Sequence, residues 1–191
     1  VLSSLPATSW LQETSQYLSD LNAWDDSMIG AYDFDRRLGA LSKLAQSGMK
    51  SLTMKPPAIQ SIIHQAVSFM YDTDYSMRQG AIKAIKNFVA TTAKSKGNKI
   101  FLLESLIIPL IKSGLKSQVG VARKGFLIVL RTIAEGFLDC TVETYPLLHL
   151  DLRYLFNSDT DQDIFMNLVH VQVHRRARAL QKFRLKLDML Q

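Results

Sequence analysis

A short pattern that occurs four times restricts the folds open to this chain of 191 residues. Each copy begins with an arginine. Apolar residues follow at the fourth and seventh positions, and three of the copies have an alanine at the third. These positions lie on one face of a helix. The copies begin at Arg37, Arg78, Arg123 and Arg176, so successive copies are 41, 45 and 53 residues apart. We therefore expect the four arginines to be structural residues of a helical repeat.

The spacing of the copies indicates the kind of repeat. A period of roughly 40–47 residues with one helix pair per unit is typical of HEAT and armadillo arrays. A proline in the helix before the motif, as at Pro109 and Pro146, resembles the HEAT pattern, and so does an aspartate six residues before the arginine, as at Asp72. At that position the other copies have Ala31, Ser117 and His170. An Asp–Arg ladder along the array would therefore be incomplete.

The sequence thus predicts an all-α fold, an α-solenoid of about four HEAT-like helix pairs. We expect residues 1–191 to form a single segment of a longer protein, because the first residue is Val1 and not methionine. The predicted repeats are 8–51, 57–93, 99–137 and 144–187. The predicted helices are 8–24, 33–51, 57–71, 75–93, 99–114, 119–137, 144–156 and 163–187. The last repeat carries about 16 extra residues, and insertions in solenoids often lie on the binding face.

The charge is unevenly distributed along the chain. The net charge is +6, yet the first 35 residues contain six acids and no lysine or arginine. The other 156 residues carry 23 bases and 11 acids, a surplus of 12 positive charges. Such a surplus attracts phosphate or acidic protein surfaces. It is also compatible with an ordinary solvated surface.

Neither a disulfide nor a membrane span is expected. The one cysteine, Cys140, excludes an internal disulfide and is best explained as a small buried apolar residue. The longest run without aspartate, glutamate, lysine or arginine covers 16 positions, 56–71. A spanning helix needs about 20 residues.

No motif indicates catalysis, a metal or a cofactor, so we expect no enzyme and no small-molecule substrate. Asp159, Asp161 and Asp163 resemble the start of a calcium loop, but the positions for its glycine and glutamate hold Ile164 and His170. We interpret these aspartates as acidic residues at a helix N-terminus. His170 and His174 are four residues apart and would share a helix face, but further zinc ligands are absent nearby.

The last predicted helix has two distinct faces. One carries an apolar stripe, formed by Phe165, Val169, Val173, Ala177, Leu180, Phe183 and Leu187. The opposite face carries the candidate RNA or partner contacts, which are Arg175, Arg178, Lys182 and Lys186. Contacts of such cations with phosphate would be salt-dependent. Because no aromatic residue interrupts the basic face, base stacking is not indicated.

A family resemblance rests on this helix. The string Phe165-x-Asn167-x-x-His170-x-Gln172-x-His174-Arg175-Arg176-x-Arg178-Ala179-Leu180, preceded by the aspartate-rich loop, resembles the DRIM family, named for "down-regulated in metastasis". A looser similarity extends over residues 33–187. Residues 1–32 do not carry the motif.

The resemblance implies a non-enzymatic HEAT-repeat scaffold of the small-subunit processome in the nucleus and nucleolus. Its partners would be pre-ribosomal RNA, small nucleolar ribonucleoprotein components and other ribosome assembly factors. The residues alone leave a second hypothesis open, a protein-only HEAT-repeat adaptor of the transport-factor type that binds acidic peptides or helices. Salt dependence separates the two, because phosphate contacts weaken steeply with salt. We also expect the isolated chain to be marginally stable or to self-associate.

Overall fold

The computed structural model describes residues 9–47, 56–94, 102–136 and 152–189. These residues contain eight α-helices and no strand, only one isolated bridge between Trp24 and Tyr32. The predicted all-α class is confirmed. No helix in the described part of the chain is both long and apolar enough to cross a membrane.

The chain divides into two compact units, Val1–Thr91 and Thr92–Gln191. The helices of the first unit are α1 (Ser9–Leu21), α2 (Phe34–Ser47), α3 (Pro56–Ser68) and α4 (Tyr75–Lys94), and the last turn of α4 extends into the second unit. A 3-10 turn, Phe69–Tyr71, follows α3. Helix α1 packs against α2 and α3. The largest fully buried side chains here are Leu21, Leu41, Leu44, Ile62, Ile63, Met70, Ile85 and Val89.

The second unit contains the remaining four helices. These are α5 (Ile108–Leu115), α6 (Gly120–Gly136), α7 (Ile164–Leu168) and α8 (Val173–Asp188), with a 3-10 turn at Arg153–Leu155. Helix α6 packs against α5 and α7, and α7 packs against α8. Leu103, Ile107, Phe126 and Ile133 are fully buried in this unit.

A change of helical pitch accompanies the proline in this unit. A π-helical segment, Leu103–Ile107, leads directly into α5, where Pro109 lies in the first turn. Proline has no N–H to donate to the carbonyl four residues earlier, and π-type pairing is one way in which a helix accommodates such a residue. Pro109 thus lies in the helix before Arg123, as the sequence predicts, and directly after this segment. Pro146 lies outside the described residues.

Where the predicted helix ends fall on described residues, the first six helices agree with the structure to within three residues. Most of the predicted helix 144–156 lies outside the described residues, and its described end contains the 3-10 turn. The continuous helix predicted at 163–187 is wrong. Residues 169–172 separate α7 from α8, because Gln172 adopts an extended conformation and the Nδ1 atom of His170 accepts its N–H at 3.0 Å.

Three of the repeat arginines bind the turn before their own helix. Nη1 of Arg78 donates to the carbonyl oxygens of Asp72 at 2.7 Å and Thr73 at 2.6 Å. Nη1 of Arg123 donates to the Ser117 carbonyl at 2.5 Å. Nη1 of Arg176 makes the same contacts as Arg78, with the carbonyls of residues 170 and 171 at 2.8 and 2.6 Å. In all three copies the carbonyl six residues before the arginine is an acceptor.

This geometry corrects the Asp–Arg pairing expected at residue 72. The acceptor is the backbone carbonyl, while the Asp72 carboxylate accepts the N–H of Asp74 at 2.8 Å. Serine or histidine at the same position therefore leaves the contact intact. Arg37 differs from the other copies. Its Nε donates to the Ala23 carbonyl at 2.8 Å, and its guanidinium lies 4.1 Å from the ring centre of Tyr32.

Candidate nucleic-acid interface

A polar cavity of about 270 Å³ lies in the second unit, between the loop that precedes α7 and the first half of α8. Its walls are formed by Asp161, Gln162, Asp163, Ile164, Asn167, Arg175, Arg178, Ala179 and Lys182. The cavity therefore brings three of the four candidate cations together.

Asp163 fixes the loop side of this cavity. Its Oδ1 accepts the Met166 N–H at 2.8 Å and so caps α7, and its Oδ2 accepts the Nε of Arg131 at 3.0 Å and the Asn157 N–H at 3.2 Å. The side chain is 0% exposed. A buried carboxylate is stable only when its lone pairs are satisfied, and here three donors satisfy it. The interpretation of the aspartates as residues of a helix N-terminus is confirmed for Asp163.

Arg131 extends this anchor to α6. Besides Asp163, it pairs with Glu135 at 3.1 Å, and its guanidinium lies 4.8 Å from the ring centre of Phe156. The loop is therefore attached to the helix beneath it by a charged and largely buried contact. The sequence offers no local signal for this pair, because the two residues are 32 positions apart.

Asn167 holds the loop from the other end. Its Nδ2 lies within hydrogen-bonding distance of the carbonyls of Thr160, Asp161 and Asp163, at 3.2, 3.0 and 2.8 Å. The Asp159 carboxylate accepts the Asp161 N–H at 2.9 Å. The Asp159 side chain thus stabilises the loop backbone. Within the described ranges, no group of three or more His, Cys, Asp or Glu residues is arranged to hold a metal ion.

Three of the four candidate cations of α8 contact residues that precede α7. Nη1 of Arg175 lies 2.8 Å from Oδ1 of Asp161, and Nζ of Lys182 donates to Oε1 of Gln162 at 2.8 Å. Nζ of Lys186 donates to the carbonyl of Tyr154. Arg178 is exposed and lines the cavity, but it has no hydrogen bond or ion pair with any residue that the structure describes.

These contacts decide how each cation is available to a phosphate. Arg178 offers all of its donors, and Lys182 is held by a neutral amide. Arg175 is partly neutralised by Asp161. The sequence identified these cations, but it did not identify Asp161 and Gln162 as their partners.

The histidines are not arranged as the sequence predicts. His170 lies in the break between α7 and α8, and His174 lies in the first turn of α8, so the two do not share a helix face. Arg176 lies at the same break and caps it through the carbonyls of residues 170 and 171. Cys140 lies outside the described residues.

The part of the apolar stripe that lies in α8 is largely exposed, whereas Phe165 in α7 is buried at 2% exposure. Val173, Leu180 and Leu187 are 69%, 58% and 44% exposed, whereas Ala179 is buried in α8 at 2% exposure. Leu180, Phe183 and Leu187 line a second cavity of about 330 Å³, whose lining is apolar apart from Lys186 and Tyr154. The helix therefore packs through the small residue next to its cations, and not through the stripe.

The described residues thus define an all-α protein with a cation-lined polar cavity on its last helix. The chain belongs to the family of U3 small nucleolar RNA-associated protein 20, because the family model for the N-terminal region of that protein matches residues 2–119. The resemblance to the DRIM family is thereby confirmed. The match includes residues 1–32 almost entirely, which the motif in the last helix does not reach.

Two fungal proteins are similar to most of the chain. U3 small nucleolar RNA-associated protein 20 of Saccharomyces cerevisiae is 26% identical over an alignment of 183 residues that covers 90% of this chain and 7% of that protein. The protein of the same name from Schizosaccharomyces pombe is 22% identical over an alignment of 175 residues that covers 88% of this chain and 7% of that protein. The chain therefore spans about 7% of the length of these relatives. No solved structure matches it.

Proposed function

We propose that this chain is part of a non-enzymatic scaffold of the small-subunit processome, which acts with U3 small nucleolar RNA in pre-rRNA processing in the nucleolus. Family membership carries this proposal. Pre-ribosomal RNA, small nucleolar ribonucleoprotein components and other assembly factors are the proposed partners. We propose further that the helix pairs are HEAT-like units of a solenoid. The shared contact of Arg78, Arg123 and Arg176 with the carbonyl six residues earlier supports this.

The proposed contact with RNA is the polar cavity of the second unit. Arg178 and Lys182 would bind phosphate oxygens, with Arg175 beside them and Lys186 one turn further along α8. A cavity of about 270 Å³ has room for a phosphate group. No aromatic residue lines it, so we expect binding to the RNA backbone with little preference for sequence.

The test is binding of labelled single-stranded RNA of mixed sequence to the purified chain across a salt series. Each phosphate contact contributes about −0.7 to the slope of log K against log salt for a single strand. Arg178→Glu should weaken RNA binding and make this slope shallower. The fourfold variant, in which Arg175, Arg178, Lys182 and Lys186 are all changed to Glu, should bind RNA more weakly still. Arg184→Glu is the matched control, because Arg184 is on the same helix but does not line the cavity.

Each outcome assigns the contact. RNA binding that is unchanged in the fourfold variant would move the contact away from α8 and leave the scaffold proposal in place. Equal losses in Arg184→Glu and Arg178→Glu would indicate a general charge effect and contradict the cavity as the site. A well-folded chain that does not bind RNA would contradict the RNA contact altogether.

The apolar cavity beside α8 favours a second candidate, the protein-only adaptor. Its apolar lining and the nearby Lys186 suit an apolar anchor of an acidic peptide or helix. Such binding would depend on a few apolar anchors and less on salt than RNA binding. If this candidate is correct, Phe183→Ala should weaken the binding of an acidic amphipathic peptide and leave RNA binding unchanged.

A further inference from the structure

The loop between α1 and α2, residues 22–33, is an ordered projection of the first unit. Trp24 and Tyr32 form an antiparallel bridge, in which the Asp25 N–H donates to the Ala31 carbonyl at 3.0 Å and the Asp33 N–H donates to the Ala23 carbonyl at 3.1 Å. Within the turn, the Ala31 N–H donates to the Met28 carbonyl at 3.2 Å. A residue with φ of +78°, Gly30, allows this turn, because a side chain would be strained there.

The tip of this loop carries two exposed apolar residues. Ile29 is 109% exposed and Met28 is 57% exposed, and both lie within a loop that the backbone hydrogen bonds hold in place. Trp24 and Tyr32, on the two sides of the loop, are 55% and 59% exposed. Exposed apolar residues that lie together and have a polar rim commonly mark a protein or ligand contact.

The base of the loop is rigid. The rings of Trp24 and Tyr32 are 4.8 Å apart, and the guanidinium of Arg37 lies 4.1 Å from the centre of the Tyr32 ring. Arg37 is itself buried and bonded to the Ala23 carbonyl. The aromatic pair is therefore held from behind, while its outer surface stays accessible. Rigid presentation lowers the entropy lost on binding.

The rim of the tip is acidic. Asp25 and Asp26 precede it, Asp33 and Asp35 follow it, and the first 35 residues contain no lysine or arginine. Hydrogen bonds from the side chain and backbone of Ser27 lower the pKa of Asp25, so this carboxylate stays charged at a lower pH than an ordinary aspartate. Two cations lie near the loop and both are engaged. Arg36 is paired with Asp20 at 2.7 Å, and Arg37 is buried against the Tyr32 ring and bonded to the Ala23 carbonyl. A phosphate group of RNA or of an anionic lipid would be repelled here.

We propose that the loop 22–33 docks a lysine- or arginine-rich segment of a partner protein that carries apolar side chains among its cations. The apolar side chains would cover Ile29 and Met28, and the cations would lie between the carboxylates of Asp25, Asp26 and Asp35. A cation could also stack on the exposed face of Trp24, since indole is the best aromatic partner for a cation. This interaction is independent of the RNA contact proposed for α8, because it uses the other unit and the opposite charge.

The loop can be tested with synthetic peptides and its own fluorophore. The chain has two tryptophans, so Trp10→Phe leaves Trp24 as the sole reporter at the loop. The probes are a labelled peptide of alternating lysine and leucine, one with glutamate in place of lysine, and one with serine in place of leucine. We expect only the lysine–leucine peptide to bind tightly and to shift the emission of Trp24.

The variants locate the contact. Ile29→Ser should lower the affinity for the lysine–leucine peptide about tenfold, which corresponds to the loss of one apolar side chain from a buried contact. The double change Asp26→Asn and Asp35→Asn should remove most of the salt dependence. Val171→Ser, a change at an 84% exposed valine in the second unit, is the matched control and should leave affinity unchanged. Ile29 is fully exposed, so circular dichroism and the melting curve should stay the same.

Several results would overturn the proposal. These are unchanged affinity in Ile29→Ser, equal binding of the lysine and glutamate peptides, or equal losses in Ile29→Ser and Val171→Ser. RNA, or vesicles of phosphatidylcholine and phosphatidylserine, are run in parallel. If either binds the chain and loses affinity in Ile29→Ser, the partner class is wrong.

Discussion

A repeat arginine that donates to the backbone carbonyl six residues earlier is the contact that recurs among the described residues. Arg78 and Arg176 each reach two carbonyls, and Arg123 reaches one. The turn before a helix leaves carbonyl groups without partners, and an arginine fork supplies donors without constraining the side chains of the turn. The contact therefore persists while residue six before the arginine changes from aspartate to serine to histidine.

The contribution of this contact to stability can be measured at Arg78. Arg78→Met keeps the aliphatic part of the side chain and removes the donors to Asp72 and Thr73. We expect the free energy of unfolding in urea to fall by about 1–2 kcal/mol, the range for hydrogen bonds from a charged donor at a partly exposed site. Lys83→Met changes an exposed cation on the same helix and should have less than about 0.5 kcal/mol of effect. Equal losses in both variants would contradict the role of Arg78.

Asp163 is the second residue with a measurable role. Asp163→Ala removes the cap of α7 and leaves the Arg131 guanidinium, which is 16% exposed, without its buried partner. We expect a loss of about 3–5 kcal/mol, typical of breaking a buried ion pair. Asp159→Ala, in the same loop but exposed, should lose less than about 1 kcal/mol. The melting temperatures of the two variants decide the comparison, and similar values would contradict the proposed anchor.

At the scale of elements, close packing of α5 on α6 depends on one glycine. A Cβ atom at Gly114 in α5 would occupy the space of the Phe126 ring, which projects from α6 and is 2% exposed. Gly39 in α2 differs, because a Cβ there would meet nothing within 4 Å. Both glycines lie in helices, where alanine is favoured by about 0.5–1 kcal/mol in the absence of packing effects.

The same substitution should therefore have opposite effects at the two sites. We expect Gly114→Ala to destabilise the protein by about 1–3 kcal/mol through overpacking, and Gly39→Ala to stabilise it by about 0.5–1 kcal/mol. Urea denaturation curves measure both. Adding Phe126→Leu to Gly114→Ala should cost less than the sum of the two single changes, since the smaller side chain makes room for the methyl group. An additive double variant would show that the ring and the glycine do not interact.

At the scale of the whole molecule, acidic and basic residues are separated along the chain. Asp25, Asp26, Asp33 and Asp35 flank the apolar loop tip, and the first 35 residues contain no lysine or arginine, while the remaining residues carry the positive surplus. The last helix exposes Val173, Leu180 and Leu187, which are seven residues apart and lie on one face. An exposed stripe of this kind is prone to association with another apolar surface.

We therefore expect self-association of the isolated chain, as its sequence also predicts. The sedimentation coefficient should rise with protein concentration, and Leu180→Gln should reduce this rise. Leu11→Gln is the matched control, because Leu11 is a 48% exposed leucine on α1 and does not belong to the stripe. A single concentration-independent species of monomer mass would contradict the expectation.

The sequence by itself determined the helical class, the ends of most helices and the positions of the repeat arginines. These properties depend on spacings within one helix or turn, and apolar periodicity and turn residues record such spacings directly. The sequence also identified the cations of α8 and the aspartate-rich loop before α7 for the same reason.

Only the tertiary structure decided which groups meet. The pairing of Arg175 with Asp161 and the anchor of Asp163 on Arg131 join residues across loops, 14 and 32 positions apart. Side-chain hydrogen bonds at such distances leave no periodic trace in the sequence. The apolar stripe illustrates the same limit, since its pattern is clear in the sequence, but packing buries Phe165 and Ala179 and leaves Val173, Leu180 and Leu187 exposed.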